Sequence, residues 1–476
     1  MMTRYLLLLG LLTPAAAQPV FPNILPPEEF AARRERVMEK IGDGAAIVLG
    51  TTEPPGEMPL RQNNQFFYVS GVVEPRAILV IDGKTRRTTL FLNPRNQRRE
   101  ESMYGPGLSP GDAAAKSTGI DAVLPRSDFQ AAVDALAMAG RPIYTPFRAE
   151  VLGSISSGDP DRLWKTNQSD PWDGRTSREQ AFVAHLKETA PHCEIRNLDP
   201  ILDAMRGIKS ANEIALIRQA TRIAGLGIME AMRDARPGMY EYELQADSEF
   251  VFKKYGAFGA AYFALIATGP NTYYTHYHRN TAQLKAGDLV QFDYAPDYKY
   301  YQSDVTRVFP ANGKFTPWQR EYYDIYLRLY RALMTSIKVH EAPRDVIKDA
   351  LVKMDAILAT YQFTDDKIRN AAQKFVEDYR RQQPRATSLG HGVGMEVHDV
   401  PMPTGTLDPG EIFTIEPEMR IEEDHLGLRL EDMLLITGTG YENLSAFVPI
   451  EISDIEKLMT DRRRGLSAAH DTLPGK

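Results

Sequence analysis

The sequence predicts an α/β protein in two parts: an N-terminal α/β domain, then a second domain of long helices with strands between and after them. Three observations carry this reading. The chain has 476 residues, more than one ordinary core accommodates. Short apolar runs divided by Gly and Pro fill its first part. From Arg206 onward the texture shifts to long helical stretches. The boundary is placed near residues 199–208, giving domains 18–200 and 201–476 behind a segment 1–17.

In order along the chain, residues 28–41 have helical charge spacing and lead into an apolar strand, 45–49. Residues 66–70, 77–81 and 88–92 read as further strands, and 129–138 as an amphipathic helix. Residues 153–178 are rich in Ser, Asp, Gly and Pro and read as an exposed loop. In the second part, 212–232, 242–255, 317–338 and 345–361 read as helices. Two antiparallel hairpins stand out there. One joins 289–294 to 303–309, and the other joins 412–419 to 426–436.

Composition narrows the function. Hydrophobic residues at 43% and charged residues at 25% fall in the globular range. A net charge of -7 gives no electrostatic footprint for nucleic acid, and the basic cluster at 95–99 reads as a solvated loop. Arg4, an apolar run over 5–12 and Ala15-Ala16-Ala17 have the three-part form of a secretory signal peptide cleaved after Ala17. The expected location is therefore periplasmic or secreted, and no second run is long enough to hold the mature chain in a membrane. Cys193 is the single cysteine, so no intramolecular disulfide forms, and nothing beside it suggests an activated thiolate.

The chemistry concentrates in the two hairpins. A two-residue loop at Tyr298-Lys299 sets Asp293 directly opposite Asp304, and one at Glu423-Asp424 does the same for Glu416 and Glu431. Opposed side chains share a face, so each hairpin aims two acids at one point. Like charges brought together this way repel unless a cation compensates them. Four converging carboxylates with His391 favour two divalent metal ions, between which a hydroxide is a nucleophile at neutral pH. An oxygen-rich set with one imidazole suits Mn²⁺, with Co²⁺ or Zn²⁺ as alternatives.

These segments resemble the M24 "pita-bread" metallopeptidases, in the aminopeptidase P and Xaa-Pro dipeptidase branch. The resemblance rests on FDYAPDYKYYQSDVTRVFP, GHGVGMEVHDVP, FTIEPEM and GLRLEDMLLIT, in the family's order and spacing. RQNNQFFYVSGVVEPRAILV resembles the N-terminal domain of aminopeptidase P, and RGIKSANEIALIRQA resembles the entry to the catalytic domain. The resemblance implies a C-terminal pita-bread α+β fold of the creatinase/aminopeptidase type. It implies that Asp293 chelates one metal, that His391 and Glu416 bind the other, and that Asp304 and Glu431 bridge them. It further implies that Glu416 is the proton-accepting base, that His276 and His398 are active-site histidines outside the ligand set, and that Arg429 is a supporting or substrate-contacting arginine.

The implied activity is hydrolysis of the N-terminal Xaa-Pro bond of a peptide with penultimate proline by a metal-bridged hydroxide, in a homodimer or tetramer. A dipeptidase restricted to Xaa-Pro, a non-peptide hydrolase or lyase of the same fold, and a metal-free binding homologue stay open as alternatives. Tyr294-Ala295, Glu418, Arg420 and Thr387 depart from the family's common pattern, and none is an implied ligand. His278 and His425 match no family role and read as rim and turn residues. Tyr273-Tyr274 and Tyr300-Tyr301 read equally as pocket lining or as packing around strands.

Overall fold

Short, nearly continuous apolar runs build the first sheet. β1 (Ala45–Leu49), β2 (Ile78–Asp82) and β3 (Arg87–Leu92) pair antiparallel in sequence order, and β4 (Ala122–Pro125) joins β3 in parallel. The computed structural model describes residues 24–52, 59–94, 102, 105, 107–151, 158–400 and 405–461. The predicted leader at 1–17 and the basic cluster at 95–99 lie outside them. The described residues form two compact units, 24–62 with Phe66–Arg141, and Asn63–Gln65 with 142–461.

In the first unit, helix α1 (Pro27–Ile41) buries two arginines. Arg33 lies over the Tyr68 ring at 4.0 Å and donates to the Tyr68 carbonyl at 3.0 Å. Arg34 donates to the carbonyls of Val69 (3.1 Å) and Gly119 (2.6 Å). Burial lowers the pKa of Arg34 to about 10, although Asp121 opposes the shift. The Val69 carbonyl belongs to a segment whose sequence suggested a strand. Residues 66–70 are not a strand but part of helix α2 (Asn64–Ser70). The Ser70 hydroxyl donates to the Phe66 carbonyl at 2.7 Å, one helical turn back, and the helix stops at Gly71 with φ +67°. A Cβ at Gly71 would run into the Phe30 ring. Tertiary burial of Phe66, Phe67 and Tyr68 overrides their strand propensity. Helices α3 (Asp112–Thr118) and α4 (Phe129–Ala139) complete this unit.

The second unit starts with a parallel pair, β5 (Ile143–Thr145) and β6 (Ile195–Asn197), with α5 (Gly158–Ser169) and α6 (Arg178–Thr189) between them. The expected loop at 153–178 therefore contains a 12-residue helix. It is a polar helix, and the turn after it leaves Trp172 exposed, so apolar periodicity gave no signal there. α7 (Asp199–Gly207) leads into α8 (Ala211–Asp234), which opens on a capping box between Ser210 and Glu213. α9 (Glu241–Lys254) packs along α8.

The strands that follow form small antiparallel sheets. β7 (Gly259–Ala260) pairs with β10 (Pro296–Asp297), and β8 (Leu265–Thr268), β9 (Leu289–Asp293) and β11 (Thr306–Pro310) form a sheet with β9 in the middle. Three helices come next: α10 (Pro317–Met334), α11 (Pro343–Thr360) and α12 (Asp366–Gln382). β12 (Ile412–Ile415) pairs with β15 (Asp432–Thr437), which also pairs with β16 (Gly440–Asn443). β13 (Glu418–Ile421) pairs with β14 (Leu426–Arg429), and α13 (Ile452–Thr460) is the last helix. α10 buries a tyrosine stripe, Tyr322, Tyr323, Tyr326 and Tyr330, that reaches the acid-bearing hairpin. No helix among the described residues is long and apolar enough to cross a membrane.

Candidate metal centre

The first hairpin turns one residue later than the sequence suggested. Tyr298 and Tyr301 exchange both backbone hydrogen bonds (2.9 and 3.0 Å), and Lys299 and Tyr300 between them have φ +53° and +72°. Asp293 consequently faces Thr306, not Asp304. The register has moved by an even number of residues, so Asp304 stays on the same face, diagonal to Asp293. The two carboxylates converge on one buried hydroxyl, with Tyr262 Oη 2.5 Å from Oδ1 of each. One proton cannot serve both acceptors.

The second hairpin holds the expected register. Ile415 faces Asp432 and Glu418 faces Arg429, so Glu416 and Glu431 stand opposite each other in a gap between the two ladders. Pro417 carries no N–H, which breaks the ladder beside them. The Tyr326 hydroxyl fills the break: it accepts from Leu430 N–H and donates to the Pro417 carbonyl, each at 2.6 Å. Thr306 joins the hairpins, donating through Oγ1 to Glu431 Oε2 (2.7 Å) and accepting at its carbonyl from Glu431 N–H (3.1 Å). Arg307, fully buried, ties the Glu431 carbonyl (2.7 Å) to the Asp432 carboxylate (2.7 Å).

His391 arrives on a loop laid against β12, with Thr414 N–H donating to its carbonyl at 3.0 Å. A Cβ at Gly390 would run into the Thr414 carbonyl, so the close approach requires glycine there. Nδ1 of His391 lies 3.2 Å from the Gly392 carbonyl, which favours a proton on Nδ1 and leaves Nε2 to face the acids. Nε2 is 3.1 Å from Glu416 Oε1, 3.6 Å from Asp304 Oδ2 and 3.9 Å from Glu431 Oε1. The same loop is anchored by Arg206, whose buried guanidinium meets Asp399 (2.5 Å) and Glu396 (3.0 Å). Lys209 meets the other oxygen of Asp399 at 3.3 Å.

The donor set fits divalent metal. Asp304, His391 and Glu431 each offer a ligand atom within 4.8 Å of the others. Glu431 Oε1 is buried and receives no hydrogen bond. Burial, then repulsion from Asp293, pushes the Asp304 carboxyl well above the usual carboxylate range in the metal-free protein. Burial, then repulsion from Asp304 and Glu416, does the same to Glu431. Burial also opposes ionisation of Glu416 and His391, but their mutual hydrogen bond and attraction win. Glu416 falls to about 2 and His391 rises to about 9. A group of acids that resist shedding their protons, one with an orphan oxygen, is what a cation would relieve.

Around this set, Arg429 pairs with Asp293 Oδ2 and donates from Nη1 to the Thr275 carbonyl at 3.0 Å. The ring of exposed His398 lies 4.2 Å from that of His391. His276 is exposed on the loop next to Thr275. Three of the positions that depart from the common pattern have clear partners. Tyr294 points at Glu249 (2.7 Å), while Glu418 and Arg420 pair with each other (2.6 Å) beside Thr275. Tyr300 and Tyr301 are buried, with Tyr301 donating to Glu213 at 3.0 Å. Tyr273 instead binds Glu422 and stacks on His425 in the second turn, and His278 lies against Phe263. Sequence reasoning did not single out Tyr262, Thr306, Tyr326 or Arg206. Nothing in a tyrosine or threonine reveals which acid it will touch 31 to 125 positions away.

Two acid-bearing hairpins closing on one imidazole define a metal-dependent hydrolase. The comparisons with known proteins make this more specific. Residues 215–438 match metallopeptidase family M24, and residues 30–144 match the N-terminal domain of aminopeptidase P. The Xaa-Pro aminopeptidase of Escherichia coli (strain K12) is 31% identical over 466 residues, spanning 92% of this chain and 98% of the relative. The structure of aminopeptidase P from E. coli with the inhibitor Pro-Leu superposes with a TM-score of 0.71 at 28% identity, covering 93% of this chain and all of that one. Proline aminopeptidase P II from Yersinia pestis gives 0.71 at 29%, covering 92% and 100%. The chain belongs to the M24 metallopeptidase family.

Proposed function

We propose that this protein is a metal-dependent aminopeptidase that hydrolyses the bond between an N-terminal residue and a penultimate proline. The observation that carries the reading is the convergence of Asp304, Glu416 and Glu431 on His391, with Asp293 joined to Asp304 through the Tyr262 hydroxyl. The activity named for the E. coli relative, matched along almost its whole length, supports the substrate class. The five residues would hold two divalent ions, Mn²⁺ being favoured by an oxygen-rich set and Co²⁺ or Zn²⁺ being the alternatives. Such a pair, when bound, supplies a strongly acidified water as nucleophile.

The protein's own groups do the rest. Glu416, ionised throughout the neutral range, is the base that accepts a proton from the attacking water. His398, beside His391, and His276, on the Thr275 loop, hold the scissile carbonyl and peptide nitrogen and move protons as the tetrahedral intermediate forms and collapses. Arg429 grips the Asp293 carboxylate and fixes its orientation. The leader-like residues 1–17 support export to the periplasm or beyond, with the mature enzyme acting on peptides as a homo-oligomer.

A panel of Xaa-Pro, Xaa-Pro-Xaa and Xaa-Ala-Xaa peptides, assayed with each metal in turn, tests the reading. Release of the first residue from Xaa-Pro-Xaa, with Xaa-Ala-Xaa resisting, is expected. Cleavage of the dipeptide alone would make the protein a dipeptidase, and cleavage of none would end the peptidase reading.

A further inference from the structure

Glu418 and Arg420 stand two and four residues beyond Glu416 on the same hairpin, and alternation puts them on the face that carries the metal ligands. Glu418 is mostly covered and Arg420 partly exposed, and both turn their polar atoms to the loop at Thr275. Glu418 Oε2 accepts from the Thr275 hydroxyl at 3.0 Å and from Arg420 at 2.6 Å, and Arg420 also donates to the Thr275 hydroxyl oxygen. The three side chains close a triangle in which the hydroxyl donates to the carboxylate and accepts from the guanidinium. The Thr275 carbonyl is held separately by Arg429, the residue that grips Asp293.

From these contacts we propose that Glu418 and Arg420 are positioning residues that act through Thr275 to fix His276 beside the metal ligands. The inference rests on the peptidase reading, and specifically on a role for His276 in it. Three further features make the bracket a coherent device. Gly427, opposite Arg420, lets the loop lie directly on the strand: its N–H donates to Thr272 Oγ1 at 3.1 Å, and a Cβ there would run into the Thr272 carbonyl. The far side of the loop is pinned by buried Glu241. It accepts from Thr268 N–H (2.8 Å), Tyr277 Oη (2.9 Å) and Ala282 N–H (3.0 Å). His276 itself is exposed, so its placement depends on what holds its neighbours. Glu418 and Arg420 largely cancel each other's charge, so their contribution is geometric and not a field on the substrate. Two of the positions that depart from the family's common pattern, Glu418 and Arg420, thus gain a shared purpose.

The test is Thr275→Val, which keeps the shape and removes both hydroxyl bonds, with Thr275→Ser as the conservative rescue. A displacement of about 1 Å near the chemistry costs roughly 100-fold. The kcat of Thr275→Val on an Xaa-Pro-Xaa peptide should therefore fall by about 10- to 100-fold with KM little changed, and Thr275→Ser should recover most of it. Metal content should match the unmutated protein. Amide exchange of residues 272–277 should accelerate in the metal-free protein. In a His276→Ala background the same substitution should produce no further loss, because the two act as one unit. Equal fold-losses in both backgrounds, or an unchanged kcat, overturn the inference while leaving the peptidase reading intact. An unchanged kcat in His276→Ala alone overturns the role of His276 and the inference with it. If Thr275→Val does not fold, Glu418→Gln run through the same cycle decides the question.

Discussion

Replacing Tyr326 with Phe probes how the hairpin opens to seat Glu416 and Glu431. The Tyr326 hydroxyl is fully buried and stands where the ladder between Pro417 and Leu430 is interrupted. Removing it leaves a buried N–H and a buried C=O without partners, each costing about 1–3 kcal/mol. Two such groups give roughly 2–6 kcal/mol if the strands stay apart. If they close so that Leu430 N–H meets the Pro417 carbonyl directly, the stability cost shrinks but the two flanking glutamates move together. Metal affinity then falls, by about 10- to 100-fold on the scale of other supporting contacts at metal sites. The urea midpoint of the metal-free protein and a calorimetric Mn²⁺ titration together read both branches. A Tyr326→Phe protein that keeps both its midpoint and its Mn²⁺ affinity would refute the reasoning.

Glu416→Gln should abolish turnover, and a rate near that of the unmutated enzyme would remove Glu416 as base. His398→Ala should lower kcat while bound metal, measured by mass spectrometry, stays unchanged; a metal-free variant would reassign His398 as a ligand. Arg307→Met strips the fully buried Asp432 of its guanidinium partner and should destabilise the protein by roughly 3–5 kcal/mol in denaturant titration. The pH dependence of binding follows from proton competition. His391 rises to about 9 in the metal-free cluster, against Glu416, so below that pH a proton must leave before metal enters. Mn²⁺ affinity should climb about tenfold per pH unit per displaced proton between pH 6.5 and 9, and a flat profile would contradict this. The linked stability has the opposite sense. The His391–Glu416 contact should stabilise the metal-free protein fully below His391's ordinary pKa and fade as pH rises through 9. At the acid end it should fade as pH falls through about 2, where Glu416 is protonated.

The Glu hairpin was readable because its signal is local: two acids symmetric about a polar turn that joins two apolar strands. The Asp hairpin was readable only in part. Two-residue turns with two left-handed residues are usually marked by Asn and Gly, whereas Lys299 and Tyr300 fill this one, so its position left no trace. The site survives that misreading because an even shift preserves the face. Helix α2 was read as a strand because FFYV carries strand propensity and only its burial contradicts it. The contacts that complete the centre, through Tyr262, Thr306, Tyr326 and Arg206, span 31 to 193 residues and leave no local pattern.

The most direct test of the account is a stepwise addition of Mn²⁺ to the stripped protein, following release of the first residue from an Xaa-Pro-Xaa peptide. Activity should be absent without metal and should rise to saturation at two ions per chain, and Glu431→Gln should not reach it. Full hydrolysis by metal-free protein, or none at any metal concentration, would contradict it.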